Sequence, residues 1–381
     1  MSALSSNLKG ETKFRKFVKS IPMATGGLAL ALAALGNLFR GMTVGAGDNL
    51  VVLVPPVFGA NTDLAHFICG GLSFAVLVIF ALKLFLDSAH AKEELKTPVP
   101  ASVLPTATMA VMLLCTYIRP YIPDVSLAIW YTAVVVHICL MVFFFRRFVA
   151  SFKLGNVFPS WFIAFVGLVA ISVTAPLMAG MPNNLSQAFN PLVAAVNPLF
   201  LGQIAFYVGF VFYFVCLVMV VTRMNKVKVF LEPARPTVAI FTAPMALLVV
   251  GYFNSFGVMQ NAAQFSAQRA LENPAYAVMP HMQREFVYFM LAIALVSYIY
   301  VLAMLIPILL KKFYTSYTAF TFPLVISAFA FRLGAAFINV FQDEPLKWLT
   351  TLTDITMWIA VAEVAFVIFH YIRYFFKWVK Y

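Results

Sequence analysis

Charge is scarce in this chain. Asp, Glu, Lys and Arg make up 10% of its 381 residues, against about 25% in a soluble domain. That shortage excludes an ordinary water-soluble fold. Acidic residues are the rarest, 14 against 26 basic, for a net charge of +12. The four cysteines, Cys69, Cys115, Cys139 and Cys216, lie inside apolar stretches at no metal-ligand spacing. They read as small buried apolar residues rather than as metal ligands or disulfide partners. His66, His137 and His370 sit in or beside apolar stretches, but no two share one at the separations that axial haem ligands need. No P-loop occurs, which excludes transport driven by the chain's own ATP hydrolysis. No cofactor is expected and no enzymatic chemistry is indicated. Low-complexity tracts and a separate soluble domain are also missing.

What is present is apolar. Hydrophobic residues reach 63% and the mean hydropathy is +0.93. A membrane span needs about 20 such residues. Ten runs qualify, at roughly 21–39, 64–86, 98–118, 124–145, 159–178, 198–222, 234–253, 284–310, 317–339 and 352–374. The pattern predicts an all-α integral membrane protein with ten transmembrane helices. With the N-terminus inside, twenty of the twenty-six basic residues fall on the cytoplasmic side, five fall outside, and Arg332 stays within a span. The positive-inside rule then puts both termini in the cytoplasm, and the basic charge needs no nucleic-acid partner. Residues 1–20 read as a cytoplasmic N-terminal segment whose Lys13–Lys19 stretch lies at the interface. Residues 21–375 form the ten-helix transmembrane domain. The apolar run after Lys19 is read as a retained first span, because nine more follow it. Of the external segments, 254–283 is expected to carry a surface helix over Asn261–Glu272, ended by Asn273 and Pro274.

Proline divides the spans into two sets. The odd-numbered ones carry Pro22, Pro98, Pro100, Pro105, Pro159, Pro176, Pro236, Pro244 and Pro323, whereas Pro307 is the exception among the even ones. Interior proline removes a helical hydrogen bond, and broken helices are tolerated at membrane depth where they pack on protein or line a wet cavity. The odd spans also mix Ala, Gly, Ser and Thr with aliphatics. The ten spans pair as five helical hairpins, with odd helices as an inner ring about a pathway and even helices around them. Lining candidates are Thr25, Gly26, Thr106, Thr108, Ser172, Thr242 and Ser327. The competing explanation for each is tight helix packing, which small residues also serve.

Several of these stretches are familiar in combination. Leu231-Glu232-Pro233 followed by Thr237 to Pro244, the run Phe320-Thr321-Phe322-Pro323, and Pro22 to Gly26 carry the likeness, with Thr97-Pro98-Val99 and Pro159-Ser160 in support. In their order and spacing the chain resembles the tellurite-resistance/dicarboxylate-transporter family, which includes bacterial TehA-like proteins and the plant slow-type (SLAC-like) anion channels. The resemblance runs from about residue 20 to 375. It implies a quasi-fivefold arrangement of the hairpins, a central pore in each subunit, and a homotrimer in the plasma (inner) membrane. It also implies small inorganic or organic anions as substrates. The long cytoplasmic tails of a kinase-gated plant channel are not seen in this sequence, which points to a prokaryotic type of control.

By that resemblance Phe322 is the pore gate. A phenyl ring blocks and dewets a narrow pore, and Pro323 behind it loosens the helix so that the ring can be aimed. Phe165 and Phe241 are weaker candidates for further constriction. Arg332 lies ten residues beyond Phe322, about 15 Å along the same helix. It could attract anions, snorkel to the outer interface, or pair with Glu363 or Asp354. Glu363 is either a proton site or a member of such a pair. The leading expectation is an anion channel. The alternatives are a proton-coupled C4-dicarboxylate (malate-type) transporter or a tellurite- or sulfite-type efflux protein of the same family. Outside transport, a membrane redox enzyme and a scaffold are the rivals.

Overall fold

The computed structural model describes residues 13–44, 51–179, 191, 195–227, 232–258, 282–309, 313–339, 342 and 344–380. The surface helix expected over Asn261–Glu272 lies outside them. The α-helices are α1 (Lys13–Ser20), α2 (Thr25–Arg40), α3 (Thr62–Leu86), α4 (Ser88–Glu94), α5 (Pro98–Val103), α6 (Pro105–Ile118), α7 (Pro123–Phe144), α8 (Trp161–Val166), α9 (Ala170–Ala179), α10 (Pro198–Lys226), α11 (Ala243–Tyr252), α12 (Arg284–Leu309), α13 (Thr318–Asn339) and α14 (Lys347–Lys380). The one sheet among the described residues is an antiparallel pair of β1 (Met42–Val44) and β2 (Val51–Val54), with Val44 opposite Val51.

Among the described residues, nine helical stretches are long and apolar enough to cross a membrane. They fall into two groups by burial. Pro98–Ile118, Trp161–Ala179, Ala234–Gly257 and Thr315–Asn339 are 67% to 94% buried within the protein, whereas the other five are only 28% to 33% buried. Helix α2 has 16 residues, about 24 Å of rise. It falls short of a full span by that measure, yet thirteen of its residues are buried. Each buried stretch packs along the exposed one that follows it: α2 on α3, α6 on α7, α9 on α10, α11 on α12 and α13 on α14. The buried helices also touch in sequence, α2 on α6, α6 on α9, α9 on α11, α11 on α13, and α13 back on α2.

Several of the inner prolines start helices rather than bend them. Pro98, Pro105 and Pro244 occupy the first turns of α5, α6 and α11, where the missing N–H would have had no intrahelical partner. The third span is therefore two helices, and the seventh begins as a 3-10 helix over Glu232–Thr242. The fifth breaks at a 3-10 turn, Gly167–Val169, between α8 and α9. Pro176 does lie inside α9 and frees the carbonyl of Ser172. Ser255 Oγ donates to that oxygen at 2.9 Å, and Asn254 Nδ2 donates to Val173 O at 2.6 Å. Both donors come from a π-helical stretch, Phe253–Val258. The bend and the π-turn supply each other's missing hydrogen bonds, as membrane-depth backbone requires.

Close approach between α2, α3 and α6 depends on glycine. A Cβ on Gly36 would lie 2.3 Å from Tyr117 Oη and 3.0 Å from Cys69 Cβ. Tyr117 is held there by donating to Ala33 O at 2.5 Å and by stacking on His66 at 3.8 Å. Gly36→Ala is expected to destabilise by about 1–3 kcal/mol, the usual cost of overpacking. A thermal unfolding series in detergent checks this, and an unchanged midpoint would contradict the contact.

Candidate pore and its constriction

The ring of α2, α6, α8, α11 and α13 surrounds a cavity of about 370 Å³. Its lining comes from the first turns of each helix: Gly27 and Leu30 of α2, Thr106 and Met109 of α6, Phe162 and Val166 of α8, Ala243 and Leu247 of α11, and Ala319 and Phe322 of α13. A helix N-terminus carries about half a positive charge from its aligned peptide dipoles. Here these helix starts border a largely apolar space, and their first N–H groups bond back into the preceding turns, as Thr25 N to Pro22 O, Ala107 N to Leu104 O and Phe162 N to Pro159 O. Among the described residues Glu94 is the one charged residue of the lining. Its Oε1 is 2.7 Å from the buried Lys83 Nζ and 3.1 Å from His90 Nε2, and Lys83 also donates to Ile21 O. The carboxylate's charge is thus answered at the wall. The Lys83–Glu94 pair was missed in the sequence, where Lys83 counted only as one of the cytoplasmic basic residues.

A second, smaller cavity of about 30 Å³ lies beyond, lined by Ala34, Asn37, Leu113, Val173, Val325 and Phe329 among others. Leu30, Met109, Leu247 and Phe322 line both cavities. Phe322 is 7% exposed, and its ring belongs to the wall that divides the two spaces. Pro323 also lines the large cavity and lies inside α13. Its carbonyl accepts from Ser327 Oγ at 2.8 Å.

The other residues singled out in the sequence fall in different places. Phe165 lines neither cavity; its ring stacks on Phe212 at 5.0 Å and meets Phe144 at 5.7 Å, toward the outer helices. Phe241 is likewise outside both linings, between Phe162 at 5.6 Å and Tyr300 at 6.1 Å. The aromatic ring that does line the large cavity beside Phe322 is Phe162, one turn before Phe165. Thr106 lines the cavity, and Gly26 is packed so closely on it that a Cβ would lie 2.8 Å from Thr106 Oγ1. Thr25 is buried outside the lining. Thr108, Ser172, Thr242 and Ser327 are tied up in hydrogen bonds between helices: Thr108 to His137, Ser172 to Ser255, and Thr242 to Ser327 at 2.8 Å.

Arg332 lines neither cavity. It is 8% exposed and reaches sideways: Nη2 donates to Pro55 O at 3.0 Å, Nη1 to Leu38 O at 3.4 Å, and Nε lies 3.9 Å from Asp354 Oδ1. Of its two prospective carboxylates, Asp354 is the neighbour. Glu363 lies farther along α14, buried, with Oε1 lacking a hydrogen-bond partner, and it too is outside both cavities. Arg119, which read only as an external charge, is 1% exposed and forks onto three carbonyls, Leu177, Pro123 and Met178. Among the described residues no group of His, Cys, Asp and Glu could hold a metal ion.

Buried, broken helices around an apolar cavity, wrapped by more exposed apolar helices, make a multi-pass membrane protein, and the family match that follows puts it in a non-enzymatic transport class. Residues 17–372 match the family model of the SLAC1 voltage-dependent anion channels. The chain belongs to that family, as the resemblance in its motifs indicated. No curated protein matches it.

Proposed function

We propose that this chain is a passive anion channel gated at Phe322. Its ten helices, with α2 as the short first span, form five hairpins in a quasi-fivefold ring, and each subunit of a homotrimer in the inner membrane carries its own pore. Both termini lie in the cytoplasm, in keeping with the basic inner loops, and the large cavity opens on that side. The observation that carries this reading is the position of Phe322 in the wall shared by the two cavities. Anions enter the large cavity from the side of the basic inner loops, whose positive charge gathers them. They pass when the ring swings off the axis, with Pro323 behind it as the soft point of α13.

Proteoliposomes loaded with nitrate, chloride, formate, malate, succinate or sulfite test this. The channel reading expects current near-linear in anion concentration that needs no pH gradient. Saturable malate uptake seen only with a pH gradient would turn the assignment to a proton-coupled carrier, and absence of flux for every anion would end the transport reading. The position of Glu363 outside both cavities weighs against the carrier, since its carboxylate does not meet the path.

A further inference from the structure

Helix α7 is lipid-exposed over most of its length, yet its His137 is fully buried. The imidazole Nδ1 is 2.7 Å from Thr108 Oγ1, and that hydroxyl donates its single proton to Pro105 O at 2.8 Å. The ring must then donate through Nδ1. This leaves Nε2 as the bare basic nitrogen, and it is buried with no hydrogen-bond partner. A buried polar atom without a partner is uncommon and asks for a reason.

The reason lies on the other side of Gly167. A Cβ at that residue would sit 3.6 Å from His137 Nε2, 3.4 Å from its Cε1 and 3.0 Å from Met109 Sδ. Gly167 and Met109 both line the large cavity. Where the lining of α8 gives way to its 3-10 turn, the wall at Gly167 is backbone alone, and an imidazole from the outer helix is packed directly behind it, beside Met109 Sδ and with no surface open to the cavity.

We propose that His137 is the proton-accepting residue of an anion site in the large cavity at Gly167. Protonated at Nε2, it places a full positive charge directly behind the Gly167 backbone, which draws a small monovalent anion such as nitrate, chloride or formate to that part of the wall. This rests on the channel reading above and narrows its substrate class. A C4-dicarboxylate would bring a second charge into a lining whose one charged residue, among those described, is Glu94, and leaving that charge unpaired is costly. Other titratable groups do not face the ring. Helix α8 and the Gly167–Val169 turn carry none. On α6 the nearest are Cys115 and Tyr117, at least seven residues from Thr108, about 10 Å along the axis. On α7 itself, Tyr131 donates to Val196 O, Cys139 is exposed, and Asp124 is in the first turn. Glu94, with Lys83 and His90, is at the cavity mouth.

Nitrate and malate fluxes measured at equal pH on both sides, stepped from pH 8 to pH 5, test the site. The wild type is expected to carry nitrate about tenfold faster per unit of acidification until the imidazole is saturated, and to favour nitrate over malate throughout. His137→Gln keeps a hydrogen-bonding group for Thr108 but cannot be protonated, and its nitrate flux should change less than about twofold over the range. Gly167→Ala keeps the histidine but sets a methyl group against Nε2 and between it and the cavity wall, with the flexible Met109 thioether yielding. It should flatten the profile in the same way, and its native His137 guards against a folding defect in the first variant. Glu94→Gln should retain the wild-type slope. The inference is overturned if the wild type shows no pH dependence, if His137→Gln or Gly167→Ala keeps the wild-type slope, or if Glu94→Gln alone removes it. Failure of the channel reading is distinct: neither the wild type nor Phe322→Ala would then pass any anion at any pH.

Discussion

Replacing Phe322 with alanine is expected to raise anion flux through the reconstituted protein about tenfold to a hundredfold. The estimate follows from what opening must undo. Phe322 is 7% exposed and packs with Leu30, Met109 and Leu247, which line the same two cavities. Withdrawing a phenyl ring from such contacts costs about 1.5–3 kcal/mol, and each 1.4 kcal/mol of barrier is a factor of ten in rate. Alanine removes the ring and joins the two cavities. The penalty in stability should fall below the 3–5 kcal/mol typical of a fully packed Phe→Ala site, because empty space already lies on both sides. Phe322→Leu should be intermediate. Flux in proteoliposomes, set against equal amounts of folded protein, is the measurement. A variant no leakier than wild type would remove Phe322 from the gate.

The largest loss of stability is expected from Arg119→Met. The guanidinium is 1% exposed and donates to Pro123 O at 2.7 Å and Met178 O at 2.9 Å, with a longer bond to Leu177 O at 3.3 Å. It ties the last turn of α9 to the turn that joins α6 and α7. Methionine fills similar volume but leaves Leu177 O and Met178 O, in the last turn of α9 whose carbonyls lack an intrahelical donor, without this donor. Each buried group so stranded costs about 1–3 kcal/mol, so a loss of about 2–5 kcal/mol is expected. Arg119→Lys should recover little of it, since an ammonium group cannot fork across three acceptors. Thermal aggregation of the detergent-purified protein reads this out. A midpoint within about one degree of wild type would mean the fork is incidental.

Much of the fold could be read from composition alone, because a bilayer leaves few choices for an apolar chain. The long runs, the proline-rich alternate spans and the motif around Phe322 all point to helices of two kinds. What could not be read is which way each side chain faces. Phe162 and Phe165 lie one turn apart, and only packing against Phe212 and Phe144 decides that Phe165 turns outward. Proline had a second ambiguity: the same residue bends a helix from inside, as Pro176 does, or starts a new one, as Pro105 does. Small hydroxyl residues were equally two-sided. Ser172 and Ser327 carry the composition of a wet lining, but the structure uses them to satisfy bent backbone and neighbouring helices. Arg332 found its partner through a loop, at Pro55, that no periodicity reports. His137 looked like one more helix-bonding histidine, because the feature that distinguishes it is an absent side chain thirty residues away, at Gly167.

The unequal sizes of the two cavities also have an electrical consequence. With Phe322 as the proposed gate and water filling the larger cavity, that cavity stays close to the potential of the compartment it opens on, and the membrane's electric field falls across the apolar stretch that begins at Phe322. A single charge moved through the full field gains or loses about 2.3 kcal/mol per 100 mV. A monovalent anion crossing that stretch would collect that energy there. Current through such a pore would follow the membrane potential steeply although no arginine-bearing helix has to travel, with the permeating ion itself acting as the sensor.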